Sequence, residues 1–318
     1  MKAAVIHAMG TIPAYETFPD PVPGADELII TVKAAALKQL DKSRVSGKHY
    51  TKFETLPAAV GVDGAGVLED GTRVYAIGET GMMAGKALVR KEACIPLPDE
   101  ISFEMAAALP NALLGSDAAL LCRGGIQAGH TVWVNGATGV SGKMAVQAAK
   151  LRGAARVIAT GRDPVKLEAL KALGADEVVC LQQSDEALMA ELSALQAANP
   201  VDIVIDYLWG RPMELLLQVL KQAVQKTVKI VTVGEMAGAS INLPSGILRS
   251  KKIELLGSGF GSISKAEIYT YFHKELPGLY RLAADGQLRF DIETASLQDV
   301  SRVWEQEAAA GSRWVFLT

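Results

Sequence analysis

The chain has 318 residues, 49% of them hydrophobic and 21% charged, with a formal net charge of -3. That length exceeds one ordinary globular core and suits two lobes, and the composition excludes a disordered chain. A near-neutral balance without blocks of like charge excludes nucleic acid as the primary partner, because phosphate backbones are met by basic surfaces.

The N-terminal Met-Lys-Ala-Ala-Val-Ile-His-Ala-Met-Gly runs directly into a strand pattern without a signal-peptide core. The short apolar segments are interrupted too soon to cross a bilayer. Cys94, Cys122 and Cys180 form neither a CxxC pair nor a disulfide framework. A cytoplasmic protein with no membrane partner is therefore expected. Short apolar runs at 3–6, 28–32, 66–68, 73–77 and 87–89, separated by Pro- and Gly-rich turns, predict a compact β-barrel-like unit. Residues 19–24 hold three prolines and a glycine and predict an extended connector.

From Ser102 the grammar changes. Ser102 can cap a helix that Pro110 ends or kinks, and a second helix is expected over 113–121. Strands and helices then alternate. Strands are predicted at 131–135, 156–160, 177–180, 201–206 and 228–233; helices at 142–151, 164–173 (stopped by Gly174), 185–197 and 212–224. Repeated βα units predict a doubly wound parallel sheet with helices on both faces. A last strand at 314–317 is expected to return to the first lobe.

The most informative segment is Val134-Asn135-Gly136-Ala137-Thr138-Gly139-Val140-Ser141-Gly142, a strand leading into a helix of small residues. Ala137, Gly139 and Gly142 give AxGxxG, the dinucleotide fingerprint with alanine at its first position. Gly139 lets backbone approach a pyrophosphate, Gly142 lets the helix pack close to the strand, and the helix N-terminus favours the anion. A P-loop fails at both ends, because Ala137 replaces the first glycine and Met144 the metal-binding hydroxyl.

In NAD sites a carboxylate at the end of the next strand receives the ribose hydroxyls. Here that strand ends Thr160-Gly161-Arg162, Lys166 follows in the first helical turn, and Asp163 reads as a helix N-cap. Arg162 and Lys166 suit a 2′-phosphate, which favours NADPH; the alternative is two solvated cations on a surface helix.

The order of motifs resembles the zinc-independent, quinone oxidoreductase-like branch of the medium-chain dehydrogenase/reductases. The residues that carry this are the opening segment, Ala36-Leu37-Lys38-Gln39-Leu40-Asp41, the run from Leu56 to Val67, Leu97-Pro98, the run from Ala106 to Pro110, the glycine fingerprint and Leu173-Gly174. The resemblance implies a GroES-like catalytic domain over 1–112 and 260–318, a Rossmann domain over 113–259, NADPH in the cleft between them, and a homodimer. It implies cofactor contacts from Ala137, Thr138, Gly139, Val140, Gly142, Thr160, Gly161, Arg162 and Lys166, and from Val233, Gly234, Gly257 and Phe260 toward the nicotinamide. Asp206, Tyr207 and Trp209 are expected near the same strand ends.

Zinc-dependent relatives carry Gly-His-Glu where this chain has Gly61-Val62-Asp63, and a cysteine near Lys38–Leu40, where there is none. Catalytic zinc needs about three His, Cys or carboxylate ligands, so no metal is expected. Without that Lewis acid, hydride addition to a quinone or to an alkene conjugated to a carbonyl is the expected chemistry. A 2-enoyl thioester reductase and a non-catalytic, redox-responsive NADPH-binding module are the alternatives. Tyr50 is the first candidate for the proton donor and His49 the second. Asp41 fits the family pattern as a catalytic or a capping residue. Lys38 departs from the asparagine of the quinone reductases.

Overall fold

The computed structural model describes every residue except Tyr50, Val224, Gln225, Phe260 and Ala310. The expected Tyr50 and Phe260 contacts therefore lie outside the described residues. The chain divides into two compact units: Met1–Asn111 with Thr270–Thr318, and Ala112–Tyr269. The return to the first unit falls after Tyr269, within the short helix Lys265–Thr270, where the expectation put it at 260.

In the first unit the expected strands lie inside Lys2–Ile6, Glu27–Ala36, Asp63–Leu68, Arg73–Ile77 and Lys86–Arg90. The long strand Glu27–Ala36 is the hub, pairing antiparallel with Lys86–Arg90 and with Asp63–Leu68. Its far end receives the C-terminal strand Ser312–Leu317, with Val315 opposite Ala36, so the tail returns as expected. The parallel edge strand Asp291–Ser296 beside it was not expected. Its alternating sequence is too polar to register as a buried run.

Pro110 does not end its helix. Phe103–Leu113 continues as a wider, π-type turn through Leu114–Gly124, so the two expected helices are one helical run. A proline in a helix interior leaves the carbonyl four residues earlier without its N–H. That carbonyl, on Ala106, instead accepts the Tyr280 hydroxyl at 3.0 Å. Arg313 Nη1 donates to the Ala108 carbonyl at 2.8 Å. Among the described residues, Phe103–Gly124 is the one helix long and apolar enough to cross a membrane, and 67% of its most apolar window is buried within the protein. It also holds Asp117, buried and bridged to Arg152 at 2.7 Å, which is the pattern of a core helix.

The second unit is a six-stranded parallel sheet: β1 (Thr131–Asn135), β2 (Arg156–Gly161), β3 (Glu177–Cys180), β4 (Ile203–Asp206), β5 (Val228–Thr232) and β6 (Ile253–Gly257). Their order across the sheet is β3-β2-β1-β4-β5-β6. Successive side chains of a strand point to opposite faces. Val132, Val134, Val157, Ala159, Ile203 and Ile205 accordingly build one core, while Trp133, Ile158, Val204 and Ile230 build the other. The order reverses between β1 and β4. In such sheets a ligand crevice opens beyond the carboxyl ends of the strands at that point.

Candidate functional site

The fingerprint loop joins β1 to helix α1 (Val140–Leu151). It starts at Gly136, whose φ of +89° only glycine adopts freely, and where an added Cβ would lie 2.9 Å from Leu208. Sequence reasoning passed over Gly136 because the motif was counted from Ala137. Ala137 is buried and its N–H donates to the Thr160 carbonyl at 2.7 Å, fixing the loop to β2. Gly142 permits close packing, since a Cβ there would stand 2.5 Å from the Gly136 carbonyl oxygen. Gly139, the helix N-cap, is exposed, and a Cβ there would meet nothing within 4 Å. Thr138 and Val140 flank it, half-buried. An open backbone surface thus faces outward at the start of a three-turn helix, where unsatisfied N–H groups favour an anion.

At the end of β2 the predicted residues divide by role. Thr160 is buried and points inward, where its hydroxyl donates to Asn135 Oδ1 at 2.7 Å. Gly161 is buried as well. Arg162 is exposed, and its guanidinium has no ion-pair partner among the described residues. Lys166, in helix α2 (Pro164–Ala169), lies 3.3 Å from Asp163. Asp163 caps that helix by accepting the N–H groups of Val165 and Lys166, as expected. The Lys166 N–H and ammonium hold the Asp163 carboxyl below its usual range. The exposed cation available to a phosphate is therefore Arg162, with Lys166 tethered beside it.

On the other side of the reversal, Val233 N–H donates to the Asp206 carbonyl at 2.8 Å, and Gly234 lies so close to Tyr207 that a Cβ would stand 2.9 Å from its carbonyl oxygen. Gly257 is exposed at the end of β6, and its carbonyl accepts Arg123 Nε at 2.9 Å. Asp206 is fully buried and does not face solvent. Burial pushes its carboxyl up to about 6 against the opposing bonds from Leu208 N–H, Asn135 and Trp209 N–H. Tyr207 donates its hydroxyl to the Gly115 carbonyl at 2.5 Å. Trp209, at φ 54°, is the one non-glycine residue with positive φ among those described.

In the first unit, Asp41 is buried at the start of the helix Gln39–Val45. It accepts the Lys38 N–H at 2.9 Å and the Val62 N–H at 2.9 Å, and it lies 3.4 Å from the Lys38 ammonium. With no exposed oxygen and backbone N–H groups on both oxygens, Asp41 caps the start of this helix. His49 Nδ1 accepts the Thr51 N–H at 3.1 Å and lies 2.5 Å from the Thr51 hydroxyl, so a neutral ring carries its proton on Nε2.

Lys38 is the residue whose role sequence reasoning did not assign. Its buried ammonium is bonded to Asp63, close to Asp41, and 3.0 Å from the Ala36 carbonyl. Burial alone would lower its pKa, but Asp41 and Asp63 outweigh burial and raise it. The second oxygen of Asp63 accepts the Tyr75 hydroxyl at 2.8 Å. Tyr75 is buried, which pushes its own hydroxyl well above the usual range. Among the described residues no three His, Cys, Asp or Glu side chains gather in a group that could hold a metal ion.

Residues 141–275 match the zinc-binding dehydrogenase family. Over the whole chain the sequence is 29% identical to an Emericella nidulans protein named as a probable NADPH-dependent quinone reductase, covering 100% of both. An NADPH-dependent alkenal/one oxidoreductase of Arabidopsis thaliana is 36% identical over 172 residues, which is 48% of this chain and 44% of that protein. The fold is shared with the Escherichia coli quinone oxidoreductase, solved in complex with NADPH, at a TM-score of 0.81 and 23% identity over 100% of each chain.

Proposed function

We propose that the chain is a medium-chain dehydrogenase/reductase of the quinone oxidoreductase type, and that it is an NADPH-dependent reductase of quinones or α,β-unsaturated carbonyls that works without a metal. The observation that carries the cofactor is the pairing of an open Gly139 backbone with an unpaired Arg162 at the end of β2, where an NAD site would place a carboxylate. Gly139 and the first N–H groups of α1 would receive the pyrophosphate, and Arg162 the 2′-phosphate. Bound NADPH supplies the hydride; the chain orients the dinucleotide and supplies the local charges. The names of the Emericella and Arabidopsis relatives support this acceptor class.

The metal-free reading rests on the donor set. Val62 cannot ligate, and the carboxylates nearest it, on Asp41 and Asp63, are already paired with the Lys38 ammonium. A dication would have to displace a buried, bonded cation. The residues therefore do not fit zinc, whatever the family's name. Elemental analysis of purified protein should find no stoichiometric zinc, and chelators should leave turnover unchanged. One zinc per chain would overturn the metal-free reading.

The function is tested by oxidation of NADPH against quinones, enones and enoyl thioesters, with NADH in parallel. Quinones or enones should be turned over and NADPH preferred. Arg162→Ala should weaken NADPH by about 10- to 100-fold, the worth of a lost bond to a charged group, and leave NADH nearly unchanged. Lys166→Ala should do less, because Asp163 already engages that cation. Equal affinity of the unmutated protein for NADPH and NADH would sink the assignment of Arg162. Turnover of enoyl thioesters alone would move the substrate class.

A further inference from the structure

Three adjacent strands of the second unit carry buried polar side chains at or next to their last residue: Asn135 on β1, Thr160 on β2 and Asp206 on β4. Their hydrogen bonds run in one direction. The Gly136 N–H is shared between Thr160 Oγ1 and the Thr160 carbonyl, each at 3.2 Å, the Thr160 hydroxyl donates to Asn135 Oδ1 at 2.7 Å, and Asn135 Nδ2 to Asp206 Oδ1 at 2.6 Å. The relay thus begins on the fingerprint loop and ends on a carboxylate. Aligned bonds of this kind polarise one another. The other Asp206 oxygen accepts the N–H of Trp209 at 3.0 Å, in its left-handed conformation, and so ties the relay to the turn beyond β4.

We propose that Asp206, through Asn135 and Thr160, is a positioning residue that sets the 136–139 loop for the pyrophosphate of the dinucleotide. The proposal rests on the NADPH reading above. None of the three side chains faces solvent, so they act through the loop and touch no ligand. The pyrophosphate is common to NADPH and NADH. The relay therefore governs affinity for both alike, whereas Arg162 governs the choice between them.

Ionised Asp206 is an acceptor only, which the relay and Trp209 both require. Asparagine would keep the shape but turn an N–H₂ toward one of these donors. Acid does the same by placing a proton on the carboxyl. Around Asp206 the neighbouring strand ends present Asn135 and Thr232, and the following loop Val233 and Gly234, none of them titratable. Tyr207, next in sequence, is the titratable neighbour, and burial holds its hydroxyl well above neutrality.

The test is the dissociation constant of each dinucleotide, read from nicotinamide fluorescence, for the wild type, Asp206→Asn, Thr160→Val and Thr160→Ser. Asp206→Asn and Thr160→Val should weaken NADPH and NADH by the same factor, about 10-fold, with their ratio unchanged. Thr160→Ser, which keeps the hydroxyl, should restore binding. The pH arm uses NADH, because a phosphate monoester itself titrates near ~6. Wild-type affinity for NADH should fall as pH drops through about 6, where Asp206 takes up its proton, and the Asp206→Asn profile should be flat. Wild-type affinity in both Asp206→Asn and Thr160→Val, or an altered NADPH-to-NADH ratio in either, would overturn the relay. Wild-type protein that bound neither dinucleotide would overturn the NADPH reading along with it.

Discussion

Lys38→Met should cost the first unit about 3–5 kcal/mol, the scale for removing one partner of a buried ion pair. Methionine fills a similar volume, so the loss comes from charge. The cluster is balanced in the native chain: Lys38 and the buried Arg313 on one side, Asp41 and Asp63 on the other. Burial pushes Arg313 down to about 10, and the two aspartates act to hold its charge. Without the Lys38 ammonium, the two carboxylates keep that more distant cation, the Tyr75 hydroxyl on Asp63 and the backbone N–H groups of residue 38 and Val62 on Asp41. Asp41, whose carboxyl burial already raises against the opposing Lys38 charge, should then take up a proton in the folded protein more readily still. A carboxylate with a raised folded pKa contributes stability below its unfolded pKa and loses it as pH rises through the folded one. The defect should therefore be largest at pH 7 and shrink toward pH 5. Denaturant midpoints of both proteins at the two pH values measure it. A loss within about 0.5 kcal/mol at pH 7, the size seen for an exposed surface change, would show that the ammonium does not hold the cluster together.

The parts of the molecule that were legible are those whose cause is local. The sheet of the second unit is buried on both faces, so its strands read as continuous apolar runs between turn residues. Thr131–Asn135 and Glu177–Cys180 fall where the runs predicted. Pro110 shows the opposite case. The local rule that a proline ends or kinks a helix is sound, but the freed Ala106 carbonyl is satisfied by Tyr280, from a distant part of the chain. No window around Pro110 contains that information. Lys38 and Asp63 are likewise paired by the packing of a helix start against a strand start, and no periodicity brings them together. For the relay a signal did exist. Asn135, Thr160 and Asp206 each put a polar side chain at or near the end of an apolar strand, and the sheet order makes those ends neighbours. The reading placed Thr160 at the cofactor itself because the motif is described by what binds. Its side chain is buried, where it bonds Asn135 and accepts the Gly136 N–H of the loop.

The fingerprint loop should separate folding from binding at two glycines three residues apart. At Gly142 an added Cβ would stand 2.5 Å from the Gly136 oxygen and 2.6 Å from Ala137 Cα. Both are backbone atoms and cannot turn aside, so α1 and the loop must part. Gly142→Ala should therefore lower stability by ~1–3 kcal/mol, as overpacking does, and weaken NADPH as well. At Gly139 the same methyl meets no protein atom within 4 Å, and the backbone, at φ -82° and ψ 174°, suits alanine. Gly139→Ala should leave the thermal midpoint nearly unchanged, since the ~0.4–1 kcal/mol that replacing glycine contributes at a compatible φ/ψ is offset by alanine's poorer fit as an N-cap. Yet that open space is where the backbone must approach the pyrophosphate. Holding the anion off the N–H groups by the width of a methyl should cost at least about 10-fold in affinity for NADPH and NADH alike, the worth of one bond to a charged group. Thermal unfolding and cofactor titration of the two variants together decide the matter. Unchanged stability with lost binding in Gly139→Ala assigns the loop to the dinucleotide. Full NADPH affinity in Gly139→Ala would place the cofactor elsewhere and remove the foundation of the reductase assignment.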